Sequence, residues 1–141
     1  MSCRYCDRAL LYGATTATQT VDQNEPIRIP KVLGAGVSSD GNVITIRRPG
    51  VYSITATASM ATTGSSTTNM AMQIQNGGVS TGAVSTGTSS GNTSFVSLST
   101  SAMVVVKASQ CPLVDGAATI SVVNTGGQAT VSSATVIVSR I

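Results

Sequence analysis

The sequence predicts an all-β domain built as a two-sheet sandwich, and three observations predict it. The apolar residues are of the stiff kind: Val occurs 17 times and Ile 9 times, while Leu is confined to Leu10, Leu11, Leu33, Leu98 and Leu113. Side chains branched at Cβ suit a pleated surface better than a helix. Glu occurs once and Lys twice, so the residues that furnish helix surfaces are nearly missing. Segments of alternating polarity also recur at short intervals, separated by Gly, Pro, Asn and Asp. A chain of 141 residues is one domain's length, and with 41% apolar residues it is expected to fold despite its low charge.

The elements follow in order. Residues 1–19 carry Arg4, Asp7 and Arg8 and then a run of small polar residues. They read as an N-terminal anchoring arm, with the sandwich domain spanning 20–141. Thr20 to Val32 is extended, and Pro26 and Pro30 suit it to a sheet edge because neither can donate to a ladder. Ser39-Asp40-Gly41-Asn42 is a turn. Asn42 to Arg48 is a strand with Ile44 and Ile46 on one face, closed by the turn Pro49-Gly50. Val51 to Ala61 alternates most clearly: Tyr52, Ile54, Ala56, Ala58 and Met60 oppose Ser53, Thr55, Thr57 and Ser59.

Thr62 to Thr68 is a polar loop. Asn69 to Gln75 turns Met70, Met72 and Ile74 inward and ends at Asn76-Gly77-Gly78. Val79 to Asn92 reads as a weak strand between two loops. Thr93 to Ala108 places Val96, Leu98, Ala102, Val104 and Val106 on one face and Met103 and Val105 on the other. Ser109 to Gly116 is a loop, Ala117 to Val123 a strand, and Asn124 to Gln128 a turn. The closing strand, Ala129 to Ile141, is apolar on both faces at Val136-Ile137-Val138. Such a strand is buried on both sides. In a sandwich one side meets the core, so the other is expected to meet a neighbouring subunit.

Composition excludes several kinds of chemistry. The chain has no His, so neither a Ser–His–Asp triad nor a Cys–His pair can be assembled from it. Ser is abundant, but nothing is placed to activate it; no enzymatic activity and no cofactor are expected. Four Asp and one Glu are scattered; Asp22, Asp40 and Asp115 suit turn caps better than a Ca²⁺ site. Cys3-x-x-Cys6 is the one metal-like spacing. It supplies two of about four ligands, with Cys111 far away, so plain thiols are the expected reading. The net charge of +3 comes from only 9% charged residues. With no basic run and no aromatic ladder, nucleic-acid binding is not expected; a small cluster of Arg47, Arg48 and Lys107 reads as a solvated strand end. The apolar stretch Ala9 to Tyr12 is too short for a signal or membrane segment, so no membrane partner is expected, and assembly in a host cytoplasm is.

Eight or so strands of this length make a sandwich or jelly roll. Their order carries a resemblance. The segment Asn42 to Ile54, with its Pro49-Gly50 turn and Tyr52, resembles a signature of the C1q/tumour-necrosis-factor-like jelly rolls. Met72 to Gly78, Ser97 to Ala108, Ala118 to Val122 and Ala134 to Ile141 follow in that family's order, over residues 20–141. Low-charge members on phage heads and bacterial spore surfaces are the most similar in kind. The resemblance implies a homotrimer around a threefold axis. Many members line that axis with aromatics. Here the domain offers only Tyr52 and Phe95, so an aliphatic axis is expected.

These readings combine into a candidate function. Val136, Ile137, Val138, Met103 and Val105 are the expected trimer interface. Arg4, Tyr5, Arg8, Leu10, Leu11 and Tyr12 are the expected anchor on a major capsid protein or another shell protein. The function expected is a trimeric capsid decoration or head-fibre protein of a phage, located on the virion surface. The alternative is a trimeric module that recognises a glycan or receptor on a tail tip or spore surface, through loops such as Val79–Asn92.

Overall fold

A computed structural model of the chain describes residues 10–35, 37–47, 49–107 and 117–141. The strands are β1 (Leu10–Thr15), β2 (Gln19–Val21), β3 (Glu25–Pro26), β4 (Lys31–Ala35), β5 (Val37–Ser39) and β6 (Ile44–Ile46). They continue with β7 (Gly50–Thr62), β8 (Thr68–Asn76), β9 (Val79–Ser89), β10 (Val96–Val106), β11 (Ala118–Asn124) and β12 (Ala129–Arg140). The first sheet runs β10-β7-β12-β1-β4, with β2 beside β12. The second runs β5-β6-β11-β8-β9, with β3 beside β11. Every pairing is antiparallel. The expected all-β, two-sheet jelly roll is the observed architecture.

The core lies between the sheets and is made of the residues that the alternation predicts. Tyr52, Ile54, Ala56 and Met60 from β7 are fully buried, as are Met70, Met72 and Ile74 from β8. Ile44, Ile46, Leu98, Val104, Val106, Ile120 and Val122 join them, with Val131, Val136 and Val138 from β12. Side chains two apart share a face, so these strands commit one face to the core and one outward. Asn124 is a buried polar residue at the end of β11. Its Nδ2 donates to the carbonyls of Val21 and Gly127 at 3.1 and 2.9 Å, and its Oδ1 accepts from Gly126 N at 3.1 Å. Burial is tolerated because each group has a partner.

Three sequence expectations change. The sheet begins at Leu10, not at residue 20. β1 lies between β12 and β4, opposite Ser139 at one end and Ala134 at the other, so the second half of the expected arm is sheet. β4 falls where an extended edge was expected to finish. The stretch beginning at Val79 is a full edge strand through Ser89, paired with β8 and kinked by a register shift between Gln73 and Gln75. Gly82 sits on that stretch with φ +87°, a conformation that suits glycine. The Pro26 expectation holds, since β3 meets a partner only at β11.

Candidate functional site

The alternation that builds the core also sets the outer face of the first sheet. Ser97, Ser99, Ser101, Met103 and Val105 point outward from β10. Val51, Ser53, Thr55, Thr57 and Ser59 do so from β7. β12 needs one further device. Ala129 and Val131 are buried, and so are Ala134, Val136 and Val138. Odd and even positions can both face inward because the register shifts between Val131 and Ser133. This β-bulge flips the parity of the strand. The outward residues beyond it are Ser133, Thr135, Ile137 and Ser139.

The five expected interface residues therefore divide. Val136 and Val138 have no exposed surface and lie in the core, which corrects their assignment to a partner. Ile137, Met103 and Val105 are exposed at 45%, 67% and 60%. The registers align them with further apolar residues. Val105 pairs with Val51, whose carbonyl accepts from Ile141 N at 2.8 Å. Ile137 lies between Thr55 on β7 and Tyr12 on β1. Tyr12, read as part of an anchor, stands instead on this sheet, half exposed. It gives the face an aromatic that the expected domain boundary denied it.

Sequence reasoning missed Val51, Ile141 and Tyr12 as members of this face. The signal was available for two of them. Val51 shares parity with Ser53 and Thr55, and Ile141 shares parity with Ile137. Tyr12 had no local signal, because its strand partners are Ile137 and Leu33, more than twenty residues away on either side of the pairing.

The face changes character along its length. Toward the Gly50 end it carries Val51, Met103, Val105 and Ile141. Toward the other end Thr57, Ser59, Ser97, Ser99, Ser133 and Thr135 line a shallow trough of about 240 Å³. Thr57 and Thr135 hydrogen-bond to each other there through their hydroxyls. No described residue of β7, β10 or β12 that points outward from this face is charged. A sheet surface of this kind, with large apolar side chains and no charge to repel a partner, is suited to burial against another protein.

Other candidates fare differently. Cys3, Cys6, Arg4, Tyr5 and Arg8 lie outside the described residues, as do Cys111 and Asp115. The backbone of Leu10 and Leu11 is part of β1. Asp40 is a turn cap: its Oδ1 accepts from the amides of Asn42 and Val43, both at 2.8 Å. The Val43 amide first, and then that of Asn42, hold its carboxyl below the ordinary 3.8. Asp22 accepts from Gln128 Nε2 at 2.5 Å. Among the described residues no three metal-ligating side chains gather. Among the described residues no helix is long and apolar enough to cross a membrane.

The strand order and the outward sheet define a two-sheet jelly roll with one partly apolar face, uncharged over the described outward residues of β7, β10 and β12. Solved structures define it further, as the tumour-necrosis-factor/C1q-like jelly-roll fold. The chain is similar to Eiger TNF from S. frugiperda at 14% identity and TM-score 0.62, covering 95% of this chain and 91% of that one. It is similar to the globular domain of zebrafish complement 1qA at 16% identity and TM-score 0.57, covering 96% and 97%. It is also similar to the PRD1 vertex protein P5 at 16% identity and TM-score 0.51, covering 94% and 96%. No protein-family model matches the chain, and no curated protein sequence does either.

Proposed function

We propose that the chain is a non-enzymatic structural protein of a phage particle, a homotrimeric decoration or head-fibre protein on the capsid surface. The observation that carries this reading is the outer face of the first sheet. Exposed Met103, Val105 and Ile137, with Val51, Tyr12 and Ile141 beside them, form an apolar cluster whose burial between copies removes large apolar area from water. The trimer is the state that the resemblance to C1q and tumour-necrosis-factor folds implies. The likeness to a vertex protein supports the virion setting. The glycan or receptor alternative gains nothing from Val79–Asn92, which is an edge strand through Ser89 with no aromatic residue.

In this reading the anchor is the segment before β1, and a truncation that tests it stops at residue 9. Removing residues 1–19 would take out β1 and expose the edge of β12. The experiment adds the purified chain to particles assembled without it. The full chain is expected to bind and to withstand washing. A chain lacking residues 1–9 is expected to keep its trimer mass and lose the particles. Binding that survives this truncation would refute the anchor.

A further inference from the structure

An edge strand offers unpaired backbone groups to any other strand that comes near. The second sheet ends on β5 at one side and on β9 at the other. β5 has 3 residues, too short a ladder to attract a partner, but β9 has 11. β9 contains no charged residue and no Pro, which are the residues that commonly spoil an edge. It also carries Val79 and Val84, exposed at 69% and 46%. A long, uncharged, partly apolar edge is a template for strand addition unless its backbone is closed in another way.

The two halves of β9 are closed differently. From Ser85 onward the strand leans on the first sheet. Ser85 Oγ accepts from Ser99 N of β10 at 3.3 Å, and Ser89 Oγ accepts from Thr62 N of β7 at 3.1 Å. Gly87 lies so near β10 that a Cβ there would stand 3.1 Å from Leu98 Cδ2. Before Ser85 the ladder itself is broken. Gln75 pairs with Ser80 and Gln73 with Val84, so Thr81, Gly82 and Ala83 stand where a regular ladder has a single residue opposite Ile74. Gly82 takes φ +87°, and a Cβ there would meet nothing within 4 Å, so the glycine is needed for its conformation and not for room.

The bulge also uses up its own donors. Gly82 N donates to Ser80 Oγ at 3.0 Å, and Ala83 N donates to Thr81 Oγ1 at 3.4 Å. The Thr81 hydroxyl in turn donates to the carbonyl of Ile74 at 2.7 Å. Ala83 packs against the core. An incoming strand needs donors and acceptors in one line, repeating at about 3.3 Å per residue. Here the line is bent, and two consecutive amides are already held by hydroxyls.

We infer that the Ser80–Val84 bulge closes the β9 edge to strand addition and so leaves the outer face of the first sheet as the surface through which copies associate. The closure stands without the assembly proposed above; its consequence for where copies meet rests on that reading. Val79 and Val84 flank the bulge, so a straight β9 would present both beside an open ladder.

The test deletes Gly82 and Ala83 together. This sets Thr81 opposite Ile74 and keeps the inward and outward alternation on either side. Thioflavin T emission and molar mass by light scattering are measured on the full chain at matched concentrations, with circular dichroism to check the fold. The wild type is expected to hold one mass at baseline emission. The deletion is expected to grow beyond that mass and to raise emission at least about fivefold. Ser80→Ala with Thr81→Val keeps the chain length, frees the two amides and is expected to raise emission about twofold. It carries the test if the deleted chain fails to fold. Each variant is repeated with Met103→Asp added. Growth that persists there runs through the edge, as expected; growth that disappears runs through the first sheet and overturns the inference. A folded deletion chain at wild-type mass and baseline emission also overturns it, as does the double substitution in that state where the deletion does not fold. A monomeric wild type whose deletion variant still grows overturns the assembly and leaves the closure standing.

Discussion

Turned toward the core, the central strands of the two sheets are alike: β7 offers Tyr52, Ile54 and Met60, and β8 offers Met70, Met72 and Ile74, all fully buried. Turned outward they diverge. The second sheet shows amides and hydroxyls from Thr45, Asn69, Gln73, Gln75, Thr119 and Ser121, with Gln75 Nε2 donating to Gln73 Oε1 at 2.8 Å, and its exposed large apolar residues, Val79 and Val84, are confined to the edge strand β9. The first sheet shows Val51, Met103, Val105, Ile137 and Tyr12. Inward faces are set by what a sandwich needs to fold. Outward faces carry no such demand, so the contrast between them reports on what each sheet meets. The polar one suits water, and the apolar one suits another copy.

The largest effect expected from breaking this contrast is on assembly. Met103→Asp or Ile137→Asp puts an unpaired carboxylate into the proposed interface. The cost of about 3–5 kcal/mol for an uncompensated buried charge corresponds to a loss of more than a hundredfold in association. Ser121→Asp, on the outer face of the second sheet, is expected to leave the mass unchanged. Sedimentation at a series of concentrations separates the two outcomes, and equal disruption by both would erase the contrast.

A smaller effect separates inside from outside within one strand. Ile54→Ala removes a fully buried side chain and is expected to lower stability by about 2–5 kcal/mol. Its neighbour Thr55→Ala is expected to change the stability of the folded chain by less than about 0.5 kcal/mol. Denaturant titration at a concentration low enough to keep the chain dissociated tests the pair. In the second sheet, a Cβ on Gly126 would stand 2.7 Å from both Ala71 N and Asn69 O. Gly126→Ala must push β8 aside and is expected to cost about 1–3 kcal/mol in the same titration.

The smallest effect is electrostatic. Asp40 is held below the ordinary carboxylate range by the Val43 and Asn42 amides. Its folded value is depressed, so its contribution is present above the unfolded value and is lost as pH falls through the folded one. Thermal melts from pH 5 to pH 2 are expected to converge for wild type and Asp40→Ala as pH drops. Since the described outward residues of β7, β10 and β12 carry no charge, the assembly itself is expected to hold its mass from pH 5 to pH 9.

Much of the fold was legible because alternation is local. β6, β7, β8, β10 and β11 are visible as periodic stripes, and β12 as a run apolar on both faces. Pro49-Gly50 and Asn76-Gly77-Gly78 mark their turns, and Gly77 and Gly78 take the positive φ of 62° and 81° that such turns use. β1 and β4 were not legible. Each is short and without a clear stripe, and each owes its place to partners far along the chain. The site was half legible for a related reason. Val136-Ile137-Val138 announces a strand apolar on both sides, but which side faces the core depends on a bulge near Ser132 that leaves no mark in composition. Met103 and Val105 were read correctly as outward because β10 keeps one parity against β7 throughout.

The outer face of the first sheet is proposed as an interface between copies of this chain. Light scattering on the purified full chain tests it directly. The predicted result is a single species at three times the chain's 14.1 kDa, unchanged on dilution into the micromolar range. A monomer at these concentrations would contradict it.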